Sequence, residues 1–490
     1  MTSTIDKRDL RFVVIGAGMA GILSAIKLQA AGFTNICVYE KAGSVGGTWR
    51  ENTYPGLTCD VPSHSYTYSF EPNPNWTRQL PPGAEVRAYF ERTAEKYGVD
   101  KLIRFNEEIS RCEFQEGRWR INTKSGKQDT ADFIIAATGV LHHPRYPDIN
   151  GIENFTGAIF HSSRWDHSVP LDGKRIGIVG NGSTGVQLVS ALVNRASQVT
   201  HFQRTPQWIM PVENPEFTEE EKAAFRADRD LLLRIRNDET YLANVERFTN
   251  GIAHPDSAEM KEIEDAVLAN LENSISDPAL KEQLRPNYRA ACKRLIFSPD
   301  YYEAIQQPNA RVVTAGVEGI EDKGVRTIDG ELHEFDLIVL ATGFRADRFM
   351  RPMALIGRDG ATLEQAWARR PTAYKSISIP NFPNLFMLNG PNGPVGNFSL
   401  IDIAELQWGY IAQLIEWVVA GKCREISPTQ SALEAFDAER TAAAKKTIFG
   451  SGCNSWYLDA EGVPATWPWS YQRFVDVMTA PIIDDYELVG

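Results

Sequence analysis

A chain of 490 residues exceeds one ordinary core, and at roughly 100–200 residues per domain it predicts two to four domains. Its 43% hydrophobic and 23% charged residues are a globular composition, not a disordered one. The 51 basic against 63 acidic residues give a net charge of −12, which argues against a general nucleic-acid or anionic-membrane binder but leaves room for a local basic pocket.

The first ten residues, Met1 to Leu10, are polar and carry no apolar signal segment. Next comes Arg11-Phe-Val-Val-Ile-Gly-Ala-Gly-Met-Ala-Gly21, an apolar strand running into Gly16-x-Gly18-x-x-Gly21 at a helix start. Those glycines provide a tight turn, close approach of a pyrophosphate and tight helix–strand packing. The helix amides then face the phosphates. The following strand, Asn35-Ile-Cys-Val-Tyr-Glu40, ends in an acid suited to ribose hydroxyls. A buried parallel strand with a tight turn is predicted at Asp132-Phe-Ile-Ile-Ala-Ala-Thr138-Gly139.

The unit then recurs at Arg175-Ile-Gly-Ile-Val-Gly180-Asn-Gly182-Ser183-Thr184-Gly185. Its second strand, Gln198-Val-Thr-His-Phe-Gln-Arg204-Thr205, places Arg204 as far beyond Gly180 as Glu40 lies beyond Gly16. An acid there suits a free ribose and an arginine suits a 2′-phosphate, so the first unit is assigned FAD and the second NADPH. Residues 216–287, rich in Glu, Ala, Leu, Arg and Lys, read as a helical insertion. Asp336-Leu-Ile-Val-Leu-Ala-Thr342-Gly343 repeats the strand at Asp132, and one such strand is expected to close each nucleotide-binding region. The apolar stretch Ile411–Val419 is interrupted by Glu416 and falls short of the ~20 residues of a membrane span.

The predicted class is therefore α/β, with two nested Rossmann-like dinucleotide-binding domains and a helical insertion. The expected division is residues 1–150 with 381–490 for FAD, 151–213 with 291–380 for NADP, and 214–290 for the insertion. The six cysteines (Cys37, Cys59, Cys112, Cys292, Cys423, Cys453) contain no Cys-x-x-Cys pair, which speaks against a zinc ribbon or a dithiol reductase. Buried free thiols in a cytoplasmic protein are expected. No spaced His/Cys/Glu cluster suggests a metal, and no Gly-x-Ser-x-Gly elbow suggests a serine hydrolase.

Two further segments carry a family resemblance. Phe155-x-Gly157-x-x-x-His161-x-x-x-Trp165-Asp166 is similar to the linker fingerprint of type I Baeyer–Villiger monooxygenases, within the class B flavoprotein monooxygenases. Gly47-x-Trp49 followed by Tyr54-Pro55-Gly56-x-x-x-Asp60 matches a second signature of that family. Relatives that oxygenate amines and sulfides usually show another aromatic at the Trp165 position. The resemblance implies conversion of a ketone to an ester or lactone with NADPH and O2, through a C4a-peroxyflavin. An N- or S-oxygenating flavin monooxygenase is the alternative.

By the same resemblance, Lys293 of Lys293-Arg294 helps hold the NADP phosphate, Arg294 approaches the flavin C4a region and Asp60 pairs with Arg294. His161 is implied to sit in a hinge between domains. Phe382-Pro-Asn-Leu-Phe-Met-Leu-Asn-Gly390-Pro-Asn-Gly393-Pro resembles the segment that returns to the flavin ring, and Trp456 of Cys453-Asn-Ser-Trp456-Tyr-Leu the tryptophan that contacts NADP. After that tryptophan the chain departs from cyclohexanone-oxidising members, reading Asp459-Ala-Glu-Gly-Val-Pro464 and Trp467-Pro-Trp469-Ser. The candidate catalytic residues are Arg294 and Asp60. The candidate FAD contacts are Gly16, Gly18, Gly21, Glu40, Gly47, Thr48, Trp49, Asp60 and Tyr66. The candidate NADP contacts are Gly180, Gly182, Ser183, Thr184, Gly185, Gln187, Arg204, Thr205, Lys293 and Trp456. The expected small-molecule partners are a ketone and O2, in a monomer or homodimer.

Overall fold

Short apolar strands that end in glycine turns organise the molecule into two parallel sheets. The computed structural model describes residues 6–394 and 398–490. The first sheet runs in the order Leu385–Met387, Phe133–Ala136, Phe12–Ile15, Ile36–Tyr39, Ile103–Arg104, all neighbours parallel. The second runs Ala310–Val313, Gln198–Phe202, Arg175–Val179, Leu337–Leu340, Ala158–His161, again all parallel. Val, Ile, Leu and Phe fill these strands on both faces because both faces of a parallel sheet are covered.

Phe133–Ala136 and Leu337–Leu340 take equivalent places, each beside the strand that enters the glycine turn. The sequence had them closing each region; instead each lies inside its sheet, with a further strand beyond it. Leu385–Met387 brings the C-terminal part of the chain back to the first sheet. The 20-residue helix Leu400–Val419 then buries Ile401, Ile403, Ala404, Trp408, Ile411 and Leu414 in the same core as helix Met19–Ala30. Among the described residues, no helix is long and apolar enough to cross a membrane.

Residues 219–283 form five helices: Glu219–Ala227, Arg229–Arg236, Glu239–Ala253, Ala258–Ser274 and Pro278–Gln283. Each begins at a side-chain cap, from Thr218, Asp228, Asp238, Ser257 and Asp277 respectively, which satisfies amides the helix itself leaves free.

The cysteines divide. Cys37, Cys59, Cys112 and Cys423 are buried free thiols. Cys292 and Cys453, expected free, form a disulfide across 161 residues, with Cα atoms 6.1 Å apart. Only the fold brings them within bridging distance, so no local spacing could have announced the pair.

The glycine of closest packing in the first unit is Gly21, where a Cβ would stand 1.8 Å from the Gly16 carbonyl oxygen. A Cβ on Gly43, by contrast, meets nothing nearer than Asn106 Oδ1 at 3.5 Å. Gly21→Ala is therefore expected to cost about 3 kcal/mol, the upper end of overpacking, because a backbone oxygen has to move. Gly43→Ala should stay within about 0.5 kcal/mol. Denaturant unfolding of both variants checks this, and equal stabilities would contradict it.

Candidate cofactor and catalytic site

Both glycine turns are built to bring backbone, not side chain, to whatever lies above them. Gly16 and Gly180 have φ of 101° and 110°, a region that favours glycine, and a Cβ on either would run into the carbonyl of Ala137 or Ala341. Helices Met19–Ala30 and Ser183–Leu192 start at Gly18 and Gly182 with no side-chain cap, unlike the helices of the insertion. Gly18 faces Gly47 so closely that a Cβ on Gly47 would lie 3.0 Å from the Gly18 Cα. Above Gly182 the space is open. Uncapped amides at glycine-lined turns form the cradle a dinucleotide diphosphate needs, so the residues present fit FAD and NADP.

Glu40 is buried at the end of strand Ile36–Tyr39. Its Oε2 accepts from Ala17 N at 2.8 Å and its Oε1 from Ala42 N at 2.9 Å, with Arg50 Nη1 3.0 Å away. The carboxylate thus fixes the glycine turn. Thr48 and Trp49 open the short helix Thr48–Glu51, and Trp49 Nε1 donates to the hydroxyl of buried Tyr66 at 3.2 Å.

The second unit bears its charge differently. Arg204 is exposed and Lys293 half-buried, and neither makes an ion pair among the described residues. Lys293 Nζ sits 4.4 Å from the centroid of the Tyr288 ring. Burial first, and then the positive charge of Arg204, push the Lys293 ammonium down from its ordinary range. The two cations are close enough to disfavour each other's charge. Thr205 offers its carbonyl to Asn181 at 2.6 Å. Ser183 and Thr184 begin the helix at the turn, and Thr184 Oγ1 donates to the Tyr54 hydroxyl at 3.3 Å.

Gln187 serves a purpose that the sequence did not show. Its Oε1 accepts from Tyr54 at 2.8 Å and its Nε2 donates to Thr58 at 3.0–3.1 Å. Beside it, a Cβ on Gly56 would lie 2.7 Å from Ala191 Cβ. The Tyr54–Asp60 segment is therefore locked on the second unit's helix, which sets where Asp60 can stand.

Asp60 forms an ion pair with Arg294. The side chains are 27% and 30% exposed for Arg294 and Asp60, so the pair is reached by solvent and not sealed in the core. Asp60 raises the arginine pKa beyond its already high value, against the opposing effect of burial. Trp456 is 47% exposed, available to an incoming molecule, whereas Tyr457 beside it is buried. Sequence reading missed Tyr54, Thr58 and Tyr288; of these, Tyr54 and Thr58 stood inside the Tyr54–Asp60 motif already in view.

Residues 13–223 match the family model described as pyridine nucleotide-disulphide oxidoreductase. An uncharacterized monooxygenase of Mycobacterium tuberculosis is 44% identical over 97% of this chain and 95% of its own. A Baeyer–Villiger monooxygenase of Streptomyces coelicolor is 37% identical over 95% of this chain and 90% of its own. The chain belongs to the Baeyer–Villiger monooxygenase family. Its structure is similar to that of cyclohexanone monooxygenase from Rhodococcus sp. Phi1 bound to NADP+, with a TM-score of 0.87 at 28% identity over 98% of this chain and 99% of that one.

In this monooxygenase the linker histidine, His161, is fully buried at the end of strand Ala158–His161. Its Nδ1 accepts from Ser163 N at 3.1 Å, so Nε2 carries the proton and donates to the Gly343 carbonyl at 3.0 Å. The ring thus ties the linker to the turn that follows strand Leu337–Leu340. Burial lowers its pKa from 6.5 to about 4. Since the folded value lies below the unfolded one, the stability gained from the neutral ring is complete above pH 6.5. It is lost as pH falls from 6.5 through about 4. A protonated Nδ1 would also confront the Ser163 amide, donor against donor. The melting-temperature gap between the wild type and His161→Gln is therefore expected to narrow as pH falls from 7.5 to 4.5. A constant gap would contradict the assignment.

Proposed function

We propose that this chain converts ketones to esters or lactones with FAD, NADPH and O2, and that Arg294, anchored by Asp60, is the cation of its reaction site. FAD supplies acceptance of hydride from NADPH and activation of O2. The observation that carries the assignment to Arg294 is its ion pair with Asp60, which solvent can reach. In this reading residues 1–150 and 381–490 hold FAD, 151–213 and 291–380 hold NADP, and 214–290 are the helical insertion.

The chain's own residues meet three needs of the reaction. The first is a cation that does not act as an acid, because the attacking oxygen has to keep its negative charge. A guanidinium paired with Asp60 meets it, since its pKa lies far above any working pH. The second is stabilisation of the charge that grows on the carbonyl oxygen as the tetrahedral adduct forms. A cation already in place does this without reorganising during the step. The third is correct placement of the coenzyme. Arg204 and Lys293 would take the 2′-phosphate between them, which relieves their mutual repulsion.

The direct test is a panel of cyclic, linear and aryl ketones, with a sulfide as control, given to FAD-loaded enzyme and NADPH and followed by mass spectrometry. Products one oxygen atom heavier than the ketones support the reading. Sulfoxide formation with every ketone untouched would overturn it. The coenzyme assignment has its own check. Arg204→Ala should raise the KM for NADPH about tenfold to a hundredfold and leave that for NADH nearly unchanged, as for loss of a charge-assisted phosphate contact. Equal losses for both coenzymes would remove Arg204 from phosphate recognition.

A further inference from the structure

We propose that His201 is a positioning residue for coenzyme binding: its imidazole holds the Gly180 carbonyl, and so turns the Asn181 amide toward the strand end that carries Arg204. The inference rests on the reading of the second unit as the NADP unit. His201 is fully buried in strand Gln198–Phe202. Its Nε2 lies 3.1 Å from the Gly180 carbonyl oxygen, and its Nδ1 lies 3.1 Å from the hydroxyl of buried Tyr301. A carbonyl oxygen only accepts, so Nε2 carries the proton and the Tyr301 hydroxyl donates to Nδ1. Burial pushes the imidazole down to about 4, so the ring is neutral and keeps this tautomer at working pH.

The first unit shows what this bond replaces. Gly16 N donates to the Tyr39 carbonyl as Gly180 N donates to that of Phe202. By strand register, then, Val38 matches His201 and Glu40 matches Gln203, with Arg204 one residue further on. In the first unit the peptide after the glycine is held through its N–H, which Ala17 donates to Glu40. Val38 has nothing to donate to the carbonyl of that peptide. In the second unit Gln203 Oε1 accepts at 3.2 Å from the Asn181 side chain, whose Nδ2 also donates to the Thr205 carbonyl at 2.6 Å. The peptide itself is held through its carbonyl, by His201. The C=O and N–H of a trans peptide point opposite ways, so a carbonyl fixed on the imidazole sends the Asn181 N–H away from it. That N–H has no hydrogen-bond partner among the described residues. Where the first unit's amide meets a carboxylate, this one would meet an oxygen of the coenzyme, next to Arg204.

The packing leaves no room for a substitute. A Cβ on Gly185 would stand 2.0 Å from the Gly180 oxygen and 3.1 Å from His201 Nε2, so turn, helix and imidazole meet at one point. Gly180, with φ of 110°, is a residue whose backbone has other conformations open to it. Without the imidazole its oxygen is left buried and unpaired, or the peptide rotates to find another donor. Either way the Asn181 amide loses its fixed direction, and coenzyme binding has to restore it.

The experiment compares FAD-loaded wild type with His201→Val, His201→Leu and His201→Gln. Valine is what the first sheet carries at this register, at Val38, so a parallel strand of this fold accommodates it. Titration calorimetry with NADP+, and with 2′,5′-ADP as a probe of the adenosine end alone, gives the affinities. Both apolar variants should weaken both ligands about tenfold, as for loss of one buried hydrogen bond, with FAD content unchanged. Flavin reduction at saturating NADPH should keep its wild-type rate. Amide exchange of residues 179–185 should quicken in the ligand-free apolar variants, while residues 12–21 of the first unit exchange as in wild type. His201→Gln, whose amide still donates, should recover most of the affinity. Wild-type affinity for both ligands in the apolar variants, or a loss seen only in the reduction rate, would overturn the positioning role. Equal losses in the glutamine and apolar variants would show the ring acting by bulk alone, and would overturn it as well. If the apolar variants lose FAD and keep NADP+, the assignment of the second unit fails, while exchange at residues 179–185 still decides whether the tie exists.

Discussion

One ion pair, Asp60 with Arg294, sets the terms for the rest of this site. It joins residues 234 positions apart, at a place where each charge is partly stripped of water. Removing charges from water is costly, and attraction repays the cost only if the geometry is held by the surroundings. Much of the local structure serves that end. Gln187 bonds Tyr54 and Thr58, and Gly56 lies against Ala191, so Asp60 cannot wander from the helix of the second unit. On the other side Ala291 and Cys292 are buried just before Lys293-Arg294.

The two positive centres follow opposite electrostatic logic. Arg294 has a carboxylate partner and remains a cation whatever the pH, which suits a group that stabilises charge and transfers no proton. Among the described residues Arg204 and Lys293 have no ion-pair partner, and the charge of Arg204 disfavours that of Lys293. Lys293 and Arg294 are adjacent, so in the proposed reading one short segment would serve both the coenzyme and the reacting oxygen.

The sheet strands and glycine turns were legible in the sequence because their causes are local. A buried parallel strand needs a continuous apolar run, and a turn with positive φ needs glycine, as at Gly16 and Gly180. The acid at Glu40 and the base at Arg204 were legible from their equal offsets. Asp60 and Arg294 were reached through resemblance alone, because nothing near either residue announces a partner so far along the chain. What escaped was made by tertiary contact. The amide of Gln187 turns to Tyr54 and Thr58, Phe133–Ala136 lies inside its sheet instead of closing it, and Cys292 finds Cys453. Tyr457 stood next to the tryptophan singled out by motif, but which of the two rings is buried depends on the cluster around Phe449.

The central claim is that a fixed cation at Arg294 makes the ketone reaction possible. The measurement that tests it most directly is ester formed per NADPH consumed, with hydrogen peroxide assayed in the same reaction, for Arg294→Ala matched to wild type in flavin content and melting temperature. The account predicts that ester formation falls by on the order of 10²–10³, as for loss of a donor to developing negative charge, while NADPH is still oxidised and its two electrons reduce O2 to hydrogen peroxide. Near wild-type ester yield from the folded, FAD-loaded variant would contradict it.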